Sequence, residues 1–357
     1  MSDPDESREV GDGTLVLPAP TVPDPADAPG LRWGVISPGH IASQFTDTAH
    51  RATASRIVSV LSRSAERAAA FATEHGAERS FDSVEAMLAA GGLDAVYIAS
   101  PHAQHHELAR PVLEAGLPVV VEKAFTLNTA QARDLLDLAR EKSVFAMEAM
   151  WARFLPQYDV LRQVVATGML GEIVEVAADH GQHFDAGPEH RLFAPALGGG
   201  ALLDLGVYPL SLAQMVLGDL DDLAVRGDLT DQAVDASVGL LARGARGGLA
   251  RLSTTLRART PTEAVVVGTL GTARLSGPFF APSTLTVTLL DGRSAQFAHD
   301  GPPGDGMAYE IAEAARRIAA GELESPVMSW TDTLSVMATM DAVRAQLGVL
   351  YPGEESA

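Results

Sequence analysis

Between residues 31 and 150 the chain alternates strand-like and helix-like stretches with a regularity that leaves few folds open. LRWGVIS is β-rich and runs into a turn, and ASQFTDTAHRA then has helical spacing. SRIVSVLSRS reads as a second strand and SAERAAAFATEHG as a helix closing on Gly76. SVEAMLAAGG, DAVYIAS, HAQHHELARPVLEAG, VVVEK, TAQARDLLDLAREKS and SVFAMEAM continue as helix, strand, helix, strand, helix, strand. A strand that returns about every 25 residues through a helix needs right-handed crossovers, so the strands lie parallel in a doubly wound sheet. This predicts an α/β fold with an N-terminal Rossmann-type domain over residues 31–150.

After Pro156 the pattern changes. QYDVLRQVVATGMLG is amphipathic and ends at a glycine, and from Glu172 strands follow one another: EIVEVAADHGQHF, AVDASVGLLARG, GGLARLSTTLRA, TEAVVVGTLGTARL and STLTVTLLDG. Turns such as GARGG and DGR separate several of them, which predicts a large open antiparallel sheet. MAYEIAEAARRIAAGELES and WTDTLSVMATMDAVRAQLG return to helices, so residues 151–357 form an α+β domain. Residues 1–30 hold seven acids, one base and six prolines, which predicts a disordered extension. With no cysteine, thiolate nucleophiles, disulfides and zinc-thiolate sites are excluded, and a cytoplasmic location is expected. The acidic start does not read as a secretory signal, and no uncharged apolar run approaches the ~18 residues that span a bilayer. A net charge of −20 repels nucleic acid and anionic membrane, so neither is expected as a partner.

Several stretches could carry chemistry. Aligned on G-x-G-x-x-A, the turn after the first strand gives Ser37, Pro38, Gly39, His40, Ile41 and Ala42. The second glycine and the small last residue are in place, while Ser37 replaces the first glycine. Alone this fits an ordinary strand-to-helix turn as well as a cofactor turn. Pro38 has no N–H, so a phosphate would be held by the amides of Gly39, His40 and Ile41. At the end of the second strand stand Ser62 and Arg63, with Arg63 24 positions past Gly39 and Arg67 a helical turn further. NAD folds usually carry an acid there, so two guanidiniums and the hydroxyls of Ser62 and Ser64 suit the 2′-phosphate of NADP. A solvated arginine pair is the other reading. Ser100, Pro101, His102 and His105 read as a loop covering a cofactor at the C-terminal end of the fourth strand, with no metal expected and His106 exposed. Glu122 and Lys123 end an apolar strand at the same edge, where a lysine needs a partner or a task unless it snorkels to solvent. In GGGALLDLGVYPL, Asp204 and Tyr208 lie four apart on one helix face, and Pro209 is expected to bend that helix.

Together these stretches resemble the glucose-fructose oxidoreductase, inositol dehydrogenase and rhizopine-catabolism (Gfo/Idh/MocA) family over residues 31–352, within it the branch of NADP-dependent D-xylose 1-dehydrogenases and dimeric trans-dihydrodiol dehydrogenases. EKAFTLN, MEAMWARFLP, GGGALLDLGVYP, GMAYEIAEAARRI, LESPVMSWTDTL and MDAVRAQLGVLYP carry the likeness. It implies hydride transfer between NADP and an alcohol or hemiacetal carbon of a small aldose, polyol or trans-dihydrodiol. It assigns Lys123, Asp204 and Tyr208 to catalysis, with Lys123 lowering the pKa of Tyr208, and places Trp151, Phe154 and His183 at the substrate. Homo-oligomers, dimers or tetramers, built through the second sheet are also implied. Ala124 replaces the family's proline after the lysine, leaving open whether that bond is cis or trans. Two other readings are a cofactor-retaining glycosidase or lyase on the same fold and a non-catalytic NADP-binding regulator, against which Lys123, Asp204 and Tyr208 together weigh.

Overall fold

The computed structural model describes residues 14–299 and 303–354. The first half alternates β1 (Arg32–Ile36), α1 (His40–Ala52), β2 (Arg56–Leu61), α2 (Ala65–His75), β3 (Arg79–Phe81), α3 (Val84–Ala89), β4 (Ala95–Ile98), α4 (His105–Glu114), β5 (Val119–Glu122), α5 (Thr129–Lys142) and β6 (Ala146–Ala149). All six strands pair in parallel in the order β3-β2-β1-β4-β5-β6. Helices cover both faces, so β4 and β5 are buried along their whole length and read as short apolar runs. Phe45 of α1 stacks on Tyr97 of β4 with ring centroids 3.8 Å apart, and Trp33 meets Phe45 edge-on. The strand order reverses between β1 and β4. There the connections leave on opposite sides and a crevice opens beyond the strand ends.

The second half begins with α6 (Pro156–Ala166) and β7 (Ile173–Gly181). A π-helical turn over Leu202–Gly206 leads into α7 (Val207–Leu217). Then follow β8 (Leu220–Leu229), β9 (Asp235–Gly244), β10 (Leu249–Thr255), β11 (Ala264–Gly268), β12 (Gly271–Leu275), β13 (Thr284–Leu289) and β14 (Ser294–Ala298). The sheet order is β14-β13-β12-β11-β7-β10-β9-β8. It is antiparallel except at β7 and β10, which run parallel and make the sheet mixed. TEAVVVGTLGTARL, expected as one strand, folds back on itself at Thr269 and Leu270 into β11 and β12. The tail helices α8 (Met307–Ala319) and α9 (Trp330–Leu347) return to the first half, α8 against α1 and α9 against α5. Their connection covers the edge strand β6. Ala146 N–H donates to Leu323 O at 3.0 Å, and Trp330 Nε1 donates to Ala146 O at 2.8 Å.

The disordered extension expected over residues 1–30 is corrected for residues 14–30, which lie as a strap on the second half. Leu15 and Leu17 pack on the core. Thr21 donates to Asp159 Oδ2 from its N–H at 2.7 Å and its hydroxyl at 3.0 Å, and Gln163 Nε2 donates to Ala19 O at 3.0 Å. Composition counted the acids and prolines of this stretch but could not see that TLVL has an apolar surface to meet. Residues 1–13 lie outside the described residues.

Candidate active site

A cleft of about 620 Å³ runs along the C-terminal ends of β1, β2, β4 and β5, within the size range of small-molecule sites. On the β1 side it is lined by the turn from Ser37 to Ile41. Ser37 has φ of +70°, the left-handed conformation that the missing glycine would adopt without a Cβ penalty. A Cβ at Gly39 would meet no protein atom within 4 Å apart from its chain neighbours, so the main chain of this lining residue is open to a ligand. The first amides of α1 lack partners within the helix and present its positive end to the cleft. Ser62, Arg63 and Arg67 line the β2 side, and Arg67 Nη2 donates to Pro38 O at 3.1 Å, tying the two walls together. A glycine cradle, free helix amides and two guanidiniums make a donor set that fits a phosphorylated dinucleotide. Gln104 and Glu107 also line the cleft; no motif marked them.

Ser100, Pro101 and His102 line the next section. His102 Nδ1 donates to Gly198 O at 2.9 Å, and burial, with His105 nearby, pushes its pKa down to about 3, so it stays neutral. His105 corrects the sequence expectation. It is fully buried, with ring nitrogens against the carbonyl oxygens of Ser100 at 2.8 Å, Ala124 at 3.0 Å and Phe125 at 3.2 Å. It braces the backbone after Lys123 and is not among the cleft-lining residues. Sequence spacing could not tell which face of this helix start points inward. The Lys123–Ala124 peptide is cis.

Lys123, Asp204 and Tyr208 come together where the cleft meets the second half. Lys123 Nζ donates to Asp204 O at 2.8 Å, lies 3.7 Å from Asp204 Oδ1, and sits 5.0 Å from the centroid of the Tyr208 ring. Arg191, which the sequence did not single out, donates from Nη1 to the same Asp204 Oδ1 at 2.8 Å. Burial alone would raise the Asp204 carboxyl, but Lys123 and Arg191 outweigh it and hold the group far below the usual carboxylate range. The expected lowering of Tyr208 by Lys123 is not what the geometry gives. The ammonium lies over the ring rather than beside the hydroxyl, and burial, then the charge of Glu122, push the phenol well above its ordinary value. Glu122 itself is buried, accepts from Tyr97 Oη, and receives the Lys123 N–H at 3.3 Å.

Trp151 Nε1 donates to Tyr208 Oη at 2.9 Å. Phe280 stacks on Tyr208 at 4.5 Å, and His180 lies 4.5 Å from Phe280 and 5.5 Å from Tyr208, closing an aromatic box. Neither Phe280 nor His180 was legible beforehand. His183, expected at the substrate, lies beyond the end of β7, is exposed, and pairs through Nδ1 with Arg257 O at 2.9 Å. His180 is the histidine that reaches the site, because it falls on the buried phase of that strand. Phe154 is buried in the core and shares no described ring contact with the box.

Residues 31–150 match an oxidoreductase family with an NAD-binding Rossmann fold, and residues 158–274 match the GFO/IDH/MocA C-terminal domain. The chain belongs to the Gfo/Idh/MocA family of oxidoreductases. It is 30% identical over 332 residues to trans-1,2-dihydrobenzene-1,2-diol dehydrogenase of Xenopus tropicalis, covering 90% of this chain and 99% of that one. It is 33% identical over 373 residues to D-xylose 1-dehydrogenase (NADP(+)) of Hypocrea jecorina, covering 90% and 93%. A 3-ketoreductase from Actinomadura kijaniata, solved with NADP and TDP-benzene, superposes with a TM-score of 0.77 at 28% identity, covering 88% and 97%.

Proposed function

We propose that the protein transfers a hydride between NADP and an alcohol or hemiacetal carbon of a small aldose, polyol or trans-dihydrodiol. The meeting of Lys123, Asp204 and Tyr208 at the edge of a cleft lined by Arg63 and Arg67 carries this reading. The relatives named for dihydrodiol and xylose oxidation support the substrate class. The amides from Gly39 onward would hold the pyrophosphate, and Ser62, Arg63 and Arg67 the 2′-phosphate. NADP, when bound, supplies the hydride donor or acceptor, and the chain supplies position and proton handling.

Burial keeps the Tyr208 phenol protonated. Its oxygen accepts from Trp151, which leaves its own proton available to a substrate oxygen. In reduction Tyr208 gives that proton to the carbonyl oxygen, and in oxidation the same transfer runs backwards. Lys123, held by Asp204 and 5.0 Å from the Tyr208 ring centroid, brings a positive charge to the site where negative charge would develop.

The test is absorbance at 340 nm with NADP and NAD against a panel of aldoses, inositols and dihydrodiols. Tyr208→Phe should lower kcat by about 10²-fold or more while NADPH binding, followed by fluorescence, stays as in the wild type; full turnover would sink the assignment. Self-association through the outer face of the second sheet belongs to the same reading, supported by Leu241 on β9, which is exposed on the face opposite buried Leu240 and Ala242. A monomer by light scattering would exclude it.

A further inference from the structure

Pro209 lies inside α7, three residues past the π-helical turn, and has no N–H. A residue with an N–H at this place would donate to the carbonyl of Leu205 in α register, or of Asp204 in the wider π register. Both of those oxygens accept side chains, Leu205 O beside the Val207 N–H. Asp204 O takes Lys123 Nζ at 2.8 Å, and Leu205 O takes His180 Nδ1 at 3.2 Å. The two side chains flank Tyr208, Lys123 Nζ at 5.0 Å and the His180 ring at 5.5 Å from its ring centroid. Donation from Nδ1 also fixes the His180 tautomer, leaving Nε2 to accept from Gln182 Nε2 at 3.0 Å.

We propose that Pro209 is a positioning residue: by withholding an N–H it leaves two main-chain oxygens to Lys123 and His180, which are thereby held around Tyr208. The kinetic consequence rests on the hydride-transfer reading above, whereas the placement of Lys123 can be read without any reaction. The chain makes that readout simple, because among its 26 basic residues only Lys123 and Lys142 are lysines, and Lys142 is exposed at the end of α5.

Pro209→Ala restores the N–H. In the full chain without cofactor, the amide of residue 209 is expected to be protected from hydrogen exchange, and Lys123 to react several-fold faster with trinitrobenzenesulfonate while Lys142 is unchanged. With cofactor, kcat should fall about 10- to 100-fold with KM for NADP within about twofold. The second variant places lactic acid at position 209 by nonsense suppression. Its ester lacks the N–H, as proline does, but has no ring, and it should keep Lys123 labelling and turnover near those of the wild type. An alanine variant that fails to fold beside an active lactic acid variant supports the proposal, since the two differ only in N–H against ester oxygen. If the alanine variant labels and turns over like the wild type, or if the lactic acid variant fails as the alanine variant does, the missing N–H is irrelevant and the proposal falls. Tyr208→Phe run alongside separates the two claims: full turnover there ends the hydride-transfer reading, and Lys123 labelling still decides the role of Pro209.

Discussion

On the proposed reading, cofactor choice comes down to the charge of Arg63. This residue lines the cleft at the end of β2, with Arg67 beside it anchored on Pro38. A charge-assisted hydrogen bond to phosphate contributes about 1.5–3 kcal/mol. Arg63→Ala should therefore raise KM for NADP about 10- to 100-fold and leave KM for NAD within a small factor. An equal loss with both cofactors would remove Arg63 from the 2′-phosphate. Glu148 on β6 makes a different single-residue case. Its Oε1 accepts from Phe125 N at 3.1 Å, and Oε2 has no partner among the described residues. Burial pushes this carboxyl from its ordinary 4.5 up to about 7, against the pull of Thr333 and Phe125. The folded state thus binds the proton more tightly than the unfolded chain, so stability from this group is full below about pH 4.5 and is lost as pH rises to 7. The loss is on the order of 3 kcal/mol. Glu148→Gln should flatten the melting temperature against pH between those values and melt above the wild type at pH 8; parallel pH profiles would reject the account.

At the scale of elements, the turn from β1 into α1 shows how a motif can be incomplete in sequence and whole in shape. Ser37 holds the left-handed conformation at φ +70°, which costs a residue with a Cβ about 1–2 kcal/mol. Ser37→Gly removes that cost but gains back some unfolded-state entropy, for a net stabilisation of up to about 1 kcal/mol. Thermal melting checks it, and if the proposed phosphate contacts begin at Gly39, NADP affinity should barely move. The parallel sheet was legible because strands buried on both faces leave unbroken apolar runs such as AVYI and VVV. β8 was not, because LDDLAVRGDL keeps most of its side chains in solvent and its alternation is hidden under charge. The meeting of Lys123, Asp204 and Tyr208 was legible for a related reason: Lys123 ends an apolar strand, and Asp204 and Tyr208 share one short motif. Arg191, His180 and Phe280 reach the same place from a loop, a strand end and a segment after β12, and nothing local in the chain says where those will land. His105 and His183 failed in the opposite way, since the right residue type near the right strand end faced elsewhere.

On the scale of the whole molecule, the strap ties together parts that the two sheets leave separate. Residues 14–30 cross α6 through Thr21 and Ala19 and reach α8, where Arg316 Nη2 donates to Asp24 O at 2.6 Å, before the chain enters β1. Helix α8 in turn packs on α1 behind the cofactor turn. The strap therefore stabilises the seat of the first half from the surface of the second. Its central contact is with Asp159, whose carboxyl burial would raise, but which the Thr21 N–H and Arg162 hold below its ordinary value of 3.8. A depressed carboxyl contributes stability that is present above that value and is lost as pH falls through the folded pKa. Deleting residues 1–24 should lower the melting temperature at pH 7 by about 3–8 °C, with the gap narrowing as the pH falls below the ordinary carboxylate value of 3.8 and Asp159 takes up its proton. Asp159→Asn in the full chain should lose that pH dependence while keeping the apolar contacts of Leu15 and Leu17. If the truncated and full chains melt together at pH 7, the strap lies on the surface without stabilising the fold. If the gap does not narrow as the pH falls, its contribution is the apolar packing alone.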